Sequence, residues 1–192
     1  MICSVPGCSQ PSCKRSFCNA HYIRLRRYGD PLAGAPRPTV EQRFWAKVDK
    51  SGDCWVWTAK ATSHGAGWFK PGGRGINPLY AYRFSYELLV GPVPDGMELD
   101  HQCHNRLCVR PDHLRPVSHK QNLENRSGPA RHSRSGVRGV RRVPSGRWSA
   151  AVKHHGEALY LGTFDTMEEA EDVVIAKRNE LFTHNDLDRG QQ

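Results

Sequence analysis

The chain has no apolar stretch approaching the ~18 residues of a membrane span, and its first residues carry no basic segment followed by an apolar run. Neither membrane insertion nor export is expected; the expected setting is cytoplasmic. Acidic side chains are scarce. Against 28 Lys and Arg stand 19 Asp and Glu, for a formal charge of +9 and a pI near 9.4, a balance that favours an acidic polymer as partner. Between Arg131 and Lys153 there are seven Arg or Lys and no Asp or Glu. The seven Cys cannot all pair with one another and interleave with His at ligand spacings. That favours metal in a reducing compartment over a disulfide framework. With 38% hydrophobic content but 18 Gly and 13 Pro in 192 residues, several small modules are expected in place of one large core.

The chemistry concentrates in residues 98–125, ELDHQCHNRLCVRPDHLRPVSHKQNLEN. Cys103, Cys108 and His113 lie at C-x4-C-x4-H spacing, which suits soft ligands closing on tetrahedral zinc from one short loop. Asp100, His101 and Asn122 form a second set, hard or titratable, suited to an oxygen-seeking ion such as magnesium and to general-base work. A purely structural zinc loop does not require them. Phosphodiester hydrolysis does: it needs an activated water, charge stabilisation on the phosphoryl oxygens and help for the leaving oxygen. A neutral His can take the water's proton, and the side chains of Asp100 and Asn122 can hold one divalent ion.

This stretch resembles the HNH, or ββα-metal, nucleases, most closely the His-Cys-box homing endonucleases and their phage relatives. The resemblance implies that His101, at the end of a strand, is the general base. Asp100 and Asn122 then hold the catalytic ion, Asn122 from a helix begun near Ser118. Cys54, in the run CWVWT, completes a structural zinc site with Cys103, Cys108 and His113. It also implies an Arg near the scissile phosphate in the helix LYAYRFSYELLV of residues 79–90, a role that falls to Arg83, with Arg74 of the preceding Gly-rich turn competing for it. Members often carry His before that Arg, where this chain has Tyr82.

Ahead of this region, Cys3, Cys8, Cys18 and His21 read C-x4-C-x9-C-x2-H, a second Cys3His zinc set, with Cys13 to spare. Arg24, Arg26 and Arg27 follow on a short helix ended by Gly29, so a zinc knob offering cations to phosphate is expected. Residues 33–39 form a Pro-rich linker. Thr39 and Gln42 then provide reciprocal capping for a helix bearing Phe44, Trp45 and Val48, and Trp55, Trp57 and Trp68 are read as core. Residues 126–134 are basic and polar, a flexible linker.

From residue 135 the pattern is three short strands (137–143, 147–153 and 158–162) and a helix 167–181 capped by Thr166 and Glu169, with Ala170, Val173, Val174, Ala176 and Leu181 available to face the sheet. This segment resembles the APETALA2/ethylene-response DNA-binding domain, whose free sheet face enters the major groove. The resemblance places Arg138, Arg141, Arg142, Lys153 and Tyr160 at or beside DNA-contacting positions and Trp148 in the core. Val143, Ser145, Ala151 and Ala158 lack the side chains that plant members use.

The expected fold class is α+β: a zinc-stabilised ββα-metal core (40–125) between an N-terminal zinc segment (1–34) and, past the linker, a three-stranded antiparallel sheet on one helix (135–183). The expected function is metal-dependent, site-directed cleavage of double-stranded DNA with magnesium and two structural zinc ions, of the homing type. A homodimer would supply the second active site for cutting both strands. The alternatives are a zinc-containing DNA-binding regulator without catalysis and an RNA-directed protein.

Overall fold

The computed structural model describes residues 1–34, 38–73, 75–129 and 132–190. It divides into two compact units, 1–43 and 44–192. Among the described residues no helix is long and apolar enough to cross a membrane.

In the first unit the chain folds back through isolated bridges, Ile2 to Pro11 and Lys14 to Phe17, and enters helix α1 (Asn19–Tyr28). Gly29 ends α1 with a left-handed φ of 75°, its N–H bonding the Leu25 carbonyl, a conformation that costs glycine least. Arg26 and Arg27 lie exposed in the last turn, while Arg24 is half-buried. The core here is Cys3, Val5 and Cys18 with Cys8 and Phe17 against it, too little apolar surface to hold a fold by burial alone.

Helix α2 (Val40–Trp45) begins on the expected reciprocal cap, with N–H to side-chain bonds of 3.1 Å (Gln42 to Thr39) and 2.9 Å (Thr39 to Gln42). Three residues of the expected linker before it, 35–37, lie outside the described residues. Phe44 anchors an aromatic core with Trp57, Phe69, Ala81 and Val109. Around it run the two-residue strands β1 (Val48–Asp49), β2 (Val56–Trp57), β3 (Trp68–Phe69) and β4 (Leu79–Tyr80), paired β1–β2 and β3–β4. These are shorter than the hydrophobic runs suggested. Trp57 is fully buried, whereas Trp55 and Trp68 are only half-buried. The helix expected over 79–90 is α3 (Ala81–Leu89). Its first two residues are drawn into the sheet edge, where Tyr80 pairs with Trp68 and the Ala81 N–H bonds the Gly67 carbonyl.

Strand β5 (Glu98–His101) pairs antiparallel with β6 (Leu114–Val117), from Glu98 opposite Val117 to His101 opposite Leu114. Residues 102–113 bulge out between them and close with a single 3-10 turn, Pro111–His113. Helix α4 (His119–Glu124) follows directly. Ser118 takes the Gln121 N–H while the Gln121 side chain takes that of Ser118, a full capping box. Hairpin and helix thus lie next to each other in sequence and in space.

The rest of the second unit is the antiparallel sheet β7 (Val140–Arg142), β8 (Trp148–His154), β9 (Glu157–Phe164) under helix α5 (Met167–Leu181), then the short α6 (Asp186–Arg189). The capping box on Thr166 and Glu169 is present. Ala170, Val174 and Phe182 pack on Val140, Ala150 and Val152, with Trp148 and Leu181 at the margin. One expectation fails: Ala176 is exposed. The buried stripe continues instead through Arg178, whose charge is met by Asp188 at 2.6 and 3.0 Å and whose Nη1 donates to the Arg138 carbonyl. The first strand is also shorter than expected, because the chain turns through Gly139 at φ +87°. A Cβ there would sit 2.6 Å from the Ala151 carbonyl oxygen. Gly139→Ala should therefore lower stability by about 2–4 kcal/mol, from a left-handed backbone plus a clash with main chain. A denaturant melt of the full chain checks it.

Residues 126–134, read as a flexible linker, do not leave the sheet module detached; two of them, 130 and 131, lie outside the described residues. Arg138 donates to the carbonyls of Leu123 and Glu124 at 2.9 Å and of Arg126 at 3.2 Å, all at the C-terminal end of α4. Those carbonyls have no partner within the helix. Glu124 is buried and takes hydrogen bonds from the Thr183 backbone and hydroxyl, each at 3.1 Å, and from Lys120 at 2.6 Å.

Candidate active site

A cleft of about 440 Å³ opens over the hairpin and α4, lined by Asp100, His101 and Asn122 together with Tyr82, His104, Arg106 and Arg126. The sequence spacing had grouped the first three, and all three line the cleft. His101 ends β5, and its Nε2 lies 3.0 Å from the Cys108 carbonyl. A carbonyl only accepts, so Nε2 carries the hydrogen and Nδ1 is the bare nitrogen. Tyr82 packs edge-on against the imidazole at 4.8 Å. Burial pushes the His101 pKa below its ordinary value, which keeps the ring neutral and able to accept a proton. Burial likewise pushes the Tyr82 phenol up to about 12, so it stays protonated.

Asp100 is 7% exposed. Its Oδ2 accepts from Arg115 Nε and Nη2 at 3.2 and 3.0 Å and from Asn125 Nδ2 at 2.9 Å; among the described residues Oδ1 receives no hydrogen bond. Asn122 gives its amide N–H to Glu98, which His119 also binds at 2.8 Å. These two hydrogen bonds, first that of Asn122, hold the Glu98 carboxyl below its usual range. With the amide nitrogen committed, the carbonyl oxygen of Asn122 is the atom left for a ligand. One carboxylate oxygen and one amide oxygen lining the same cleft are a donor set that suits a hard divalent ion.

Arg83 is placed differently from expectation. Among the described residues the arginines lining the cleft are Arg106 and Arg126, and Arg83 is not one of them. It sits one helical turn before Glu87 and pairs with it at 2.7 Å, half exposed. Arg74 lies outside the described residues. Arg106 is held by a 2.9 Å bond from Nη1 to the His64 carbonyl. Sequence reasoning missed it because that anchor is 42 residues away. His104, also on the cleft, has a left-handed φ of 53° and a buried Nε2 without a partner among the described residues.

Both Cys/His quartets close. Cys54, Cys103, Cys108 and His113 bring their ligand atoms within 4.8 Å of one another, and so do Cys3, Cys8, Cys18 and His21. The His113 Nδ1 is 3.6 Å from the sulfurs of Cys54 and Cys108, and the His21 Nδ1 is 3.3 Å from those of Cys3 and Cys18. The edge of a tetrahedron with bonds of about 2.1–2.3 Å is roughly 3.4–3.8 Å, so both donor sets fit zinc. Burial, joined by the charges of its neighbour thiols, pushes the Cys108 thiol up to about 12. Three thiols so crowded ionise together only around a cation. The outer nitrogen of His113 faces Asp53 at 3.4 Å, and Arg110 holds Asp53 at 2.8 Å, the carboxylate–imidazole arrangement that orients a ligating His. Asp53 was not picked out from sequence, although it directly precedes Cys54. Cys13 is exposed and stands outside the quartet.

On the sheet, the register puts Arg141, Lys153 and Tyr160 on the face away from α5: Arg141 pairs with Ser149, Ala151 with Tyr160 and Lys153 with Ala158. Tyr160 is 66% exposed. Arg142 pairs with Trp148 on the opposite face, and Arg138 is turned inward to α4.

Residues 80–124 match the family model described as HNH endonuclease. A protein of Acanthamoeba polyphaga mimivirus described as an uncharacterized HNH endonuclease is 28% identical over 108 residues, covering 56% of this chain and 55% of that protein. Protein 7.7 of Escherichia phage T7 is 36% identical over 72 residues (38% and 53%), and the uncharacterized gene 5.3 protein of Enterobacteria phage T3 is 38% identical over 42 (22% and 42%). The chain spans about half the length of these relatives. No solved structure matches it. Hairpin, helix and these matches together support an HNH nuclease of phage or viral type. The matched segment contains Asp100, His101 and Asn122 as well as Cys103, Cys108 and His113.

Proposed function

We propose that this chain is a site-directed DNA endonuclease of the homing type, hydrolysing phosphodiester bonds in double-stranded DNA with one catalytic divalent ion, magnesium or similar. The observation that carries the reading is the state of His101: its Nε2 is spent on the Cys108 carbonyl, which leaves a neutral ring with a bare Nδ1 in the same cleft as Asp100 and Asn122. Nδ1 takes the proton of the attacking water. Asp100 and Asn122 bind the ion, which when bound supplies charge stabilisation at the phosphoryl and leaving oxygens. Arg106, fixed at the cleft by His64, orients the scissile phosphate.

Zinc at the central quartet fixes the loop between β5 and β6, and a second zinc holds the N-terminal unit and presents Arg24, Arg26 and Arg27 to the DNA backbone. The C-terminal sheet, resembling the APETALA2 type, offers Arg141, Lys153 and Tyr160 to the major groove, which admits β-structure as well as helices. A homodimer would bring two cleavage centres to one duplex.

Plasmid cleavage with magnesium and with EDTA, after zinc quantification, tests the reading. Magnesium-dependent nicking or linearisation is expected, and DNA binding without cleavage on any selected site would favour the regulator. The cation assignment has its own check in steady-state kinetics. Arg106→Ala should lower the cleavage rate by about 10²-fold, the usual cost of losing one charge-stabilising donor, whereas Arg83→Ala should change it less than about threefold because its partner is a surface Glu.

A further inference from the structure

Asp100 is tied to the far end of the chain by two independent side chains. Arg115, on β6, binds Oδ2 of Asp100 with Nε and Nη2, and its Nη1 and Nη2 also reach the carboxylate of Asp186, the former at 3.4 Å. Asn125, 4% exposed, donates Nδ2 to the same Asp100 oxygen while its Oδ1 accepts the Asp186 N–H at 3.0 Å. Asp186 opens α6, and α6 is itself pinned to α5. Asp188 pairs with the buried Arg178, and Arg189 donates to the Phe182 and Thr183 carbonyls at 2.6 and 3.3 Å.

From this geometry we infer that Asp186 is a positioning residue of the nuclease centre: by sharing Arg115, it keeps Asp100 fixed in place and leaves the cluster with a net negative charge toward a divalent ion. The inference rests on the reading of Asp100 as an ion ligand. The charge count gives the reason. Two carboxylates and one guanidinium leave the cluster at −1, whereas without Asp186 the Asp100–Arg115 pair is neutral and Arg115 is wholly engaged with the ligand oxygen's own carboxylate. A dication then meets a compensated pair, and at these distances the lost attraction corresponds to roughly tenfold in affinity after solvent screening. Domain glue alone would behave otherwise, lowering stability while leaving ion affinity unchanged.

The test uses the full chain and reads Mn²⁺ binding directly, by the electron paramagnetic resonance signal of free Mn²⁺, beside the magnesium dependence of cleavage. Asp186→Asn is expected to weaken Mn²⁺ binding about tenfold and to raise the magnesium needed for half-maximal cutting in proportion, with the loss recovered at saturating magnesium and zinc content unchanged. Asp186→Glu, which retains the charge, should bind Mn²⁺ within about threefold of wild type. Should Asp186→Asn fail to fold, Asp186→Ser carries the same expectation. Wild-type Mn²⁺ affinity in a folded, uncharged variant overturns the inference, whatever its melting temperature. Asp100→Asn separates the two levels. If it loses Mn²⁺ and cleavage while Asp186→Asn keeps both, the inference alone falls; if Asp100→Asn itself keeps both, the ligand reading falls and takes the inference with it.

Discussion

His101→Ala should lower magnesium-dependent cleavage by on the order of 10³-fold, within the range typical of a lost general base, while zinc content and DNA affinity stay near wild type. The geometry confines the damage. The imidazole makes one hydrogen bond, to the Cys108 carbonyl, and one edge contact, with Tyr82. Truncation leaves that carbonyl at the wall of an open cleft, where water replaces the ring. A His101→Gln variant sharpens the point, since its amide can still donate to the carbonyl yet offers no basic nitrogen. It should be as inactive as Ala and more stable. Single-turnover cleavage of a supercoiled plasmid, with binding followed separately in calcium, measures both quantities. Activity within tenfold of wild type in His101→Ala would remove His101 as the base.

Cys108→Ser should have the largest effect on the fold, because Cys108 serves the site twice. Its sulfur belongs to the quartet with Cys54, Cys103 and His113, and its backbone carbonyl fixes the tautomer of His101. The residue is completely buried, and its N–H is bonded to the Asn105 carbonyl. The loop 102–113 gives only Val109 and Leu107 to the aromatic core, and the Cys54 arm arrives from 49 positions upstream of Cys103. Structural zinc sites contribute on the order of 10 kcal/mol of apparent binding free energy, more than the usual stability of a whole domain. Bound zinc should fall by one ion per chain by atomic absorption, and the near-ultraviolet signal of Trp45, Trp55 and Trp57 should collapse. A zinc-depleted Cys108→Ser protein with a wild-type melting curve would show that the quartet does not hold the fold.

What could be read from the sequence was local. Each quartet draws three or four ligands from one short stretch, so spacing alone grouped Cys3, Cys8, Cys18 and His21, and likewise Cys103, Cys108 and His113. Asp100 and His101 are adjacent, and the Thr39 and Thr166 capping boxes are four-residue patterns. The remainder depends on partners far along the chain. Arg106 belongs to the cleft through a bond to residue 64, and Arg115 reaches Asp186 across 71 positions. Arg83 illustrates the opposite case. A helix position named by resemblance carries no information about which face turns to the cleft, and its own i+4 neighbour Glu87 is the partner it finds. The resemblance had grouped Arg138 with the DNA-contacting cations. The strand starts two residues later, and the guanidinium instead closes the end of α4.

The seam between α4 and the sheet module bears on how the C-terminal segment could be exchanged. Recombination that swaps the C-terminal segment for an unrelated one, cut anywhere between residues 126 and 134, would carry away Arg138, Thr183 and Asp186 together. It would leave the bare carbonyls of α4 and a buried Glu124 whose remaining partners are Lys120 and water. A recipient lineage would have to rebuild that seam for the new segment to dock. On the proposed reading, graftable boundaries fall in the sheet's own turns, residues 143–147 and 155–156, where loops can be replaced while the seam with α4 is inherited intact.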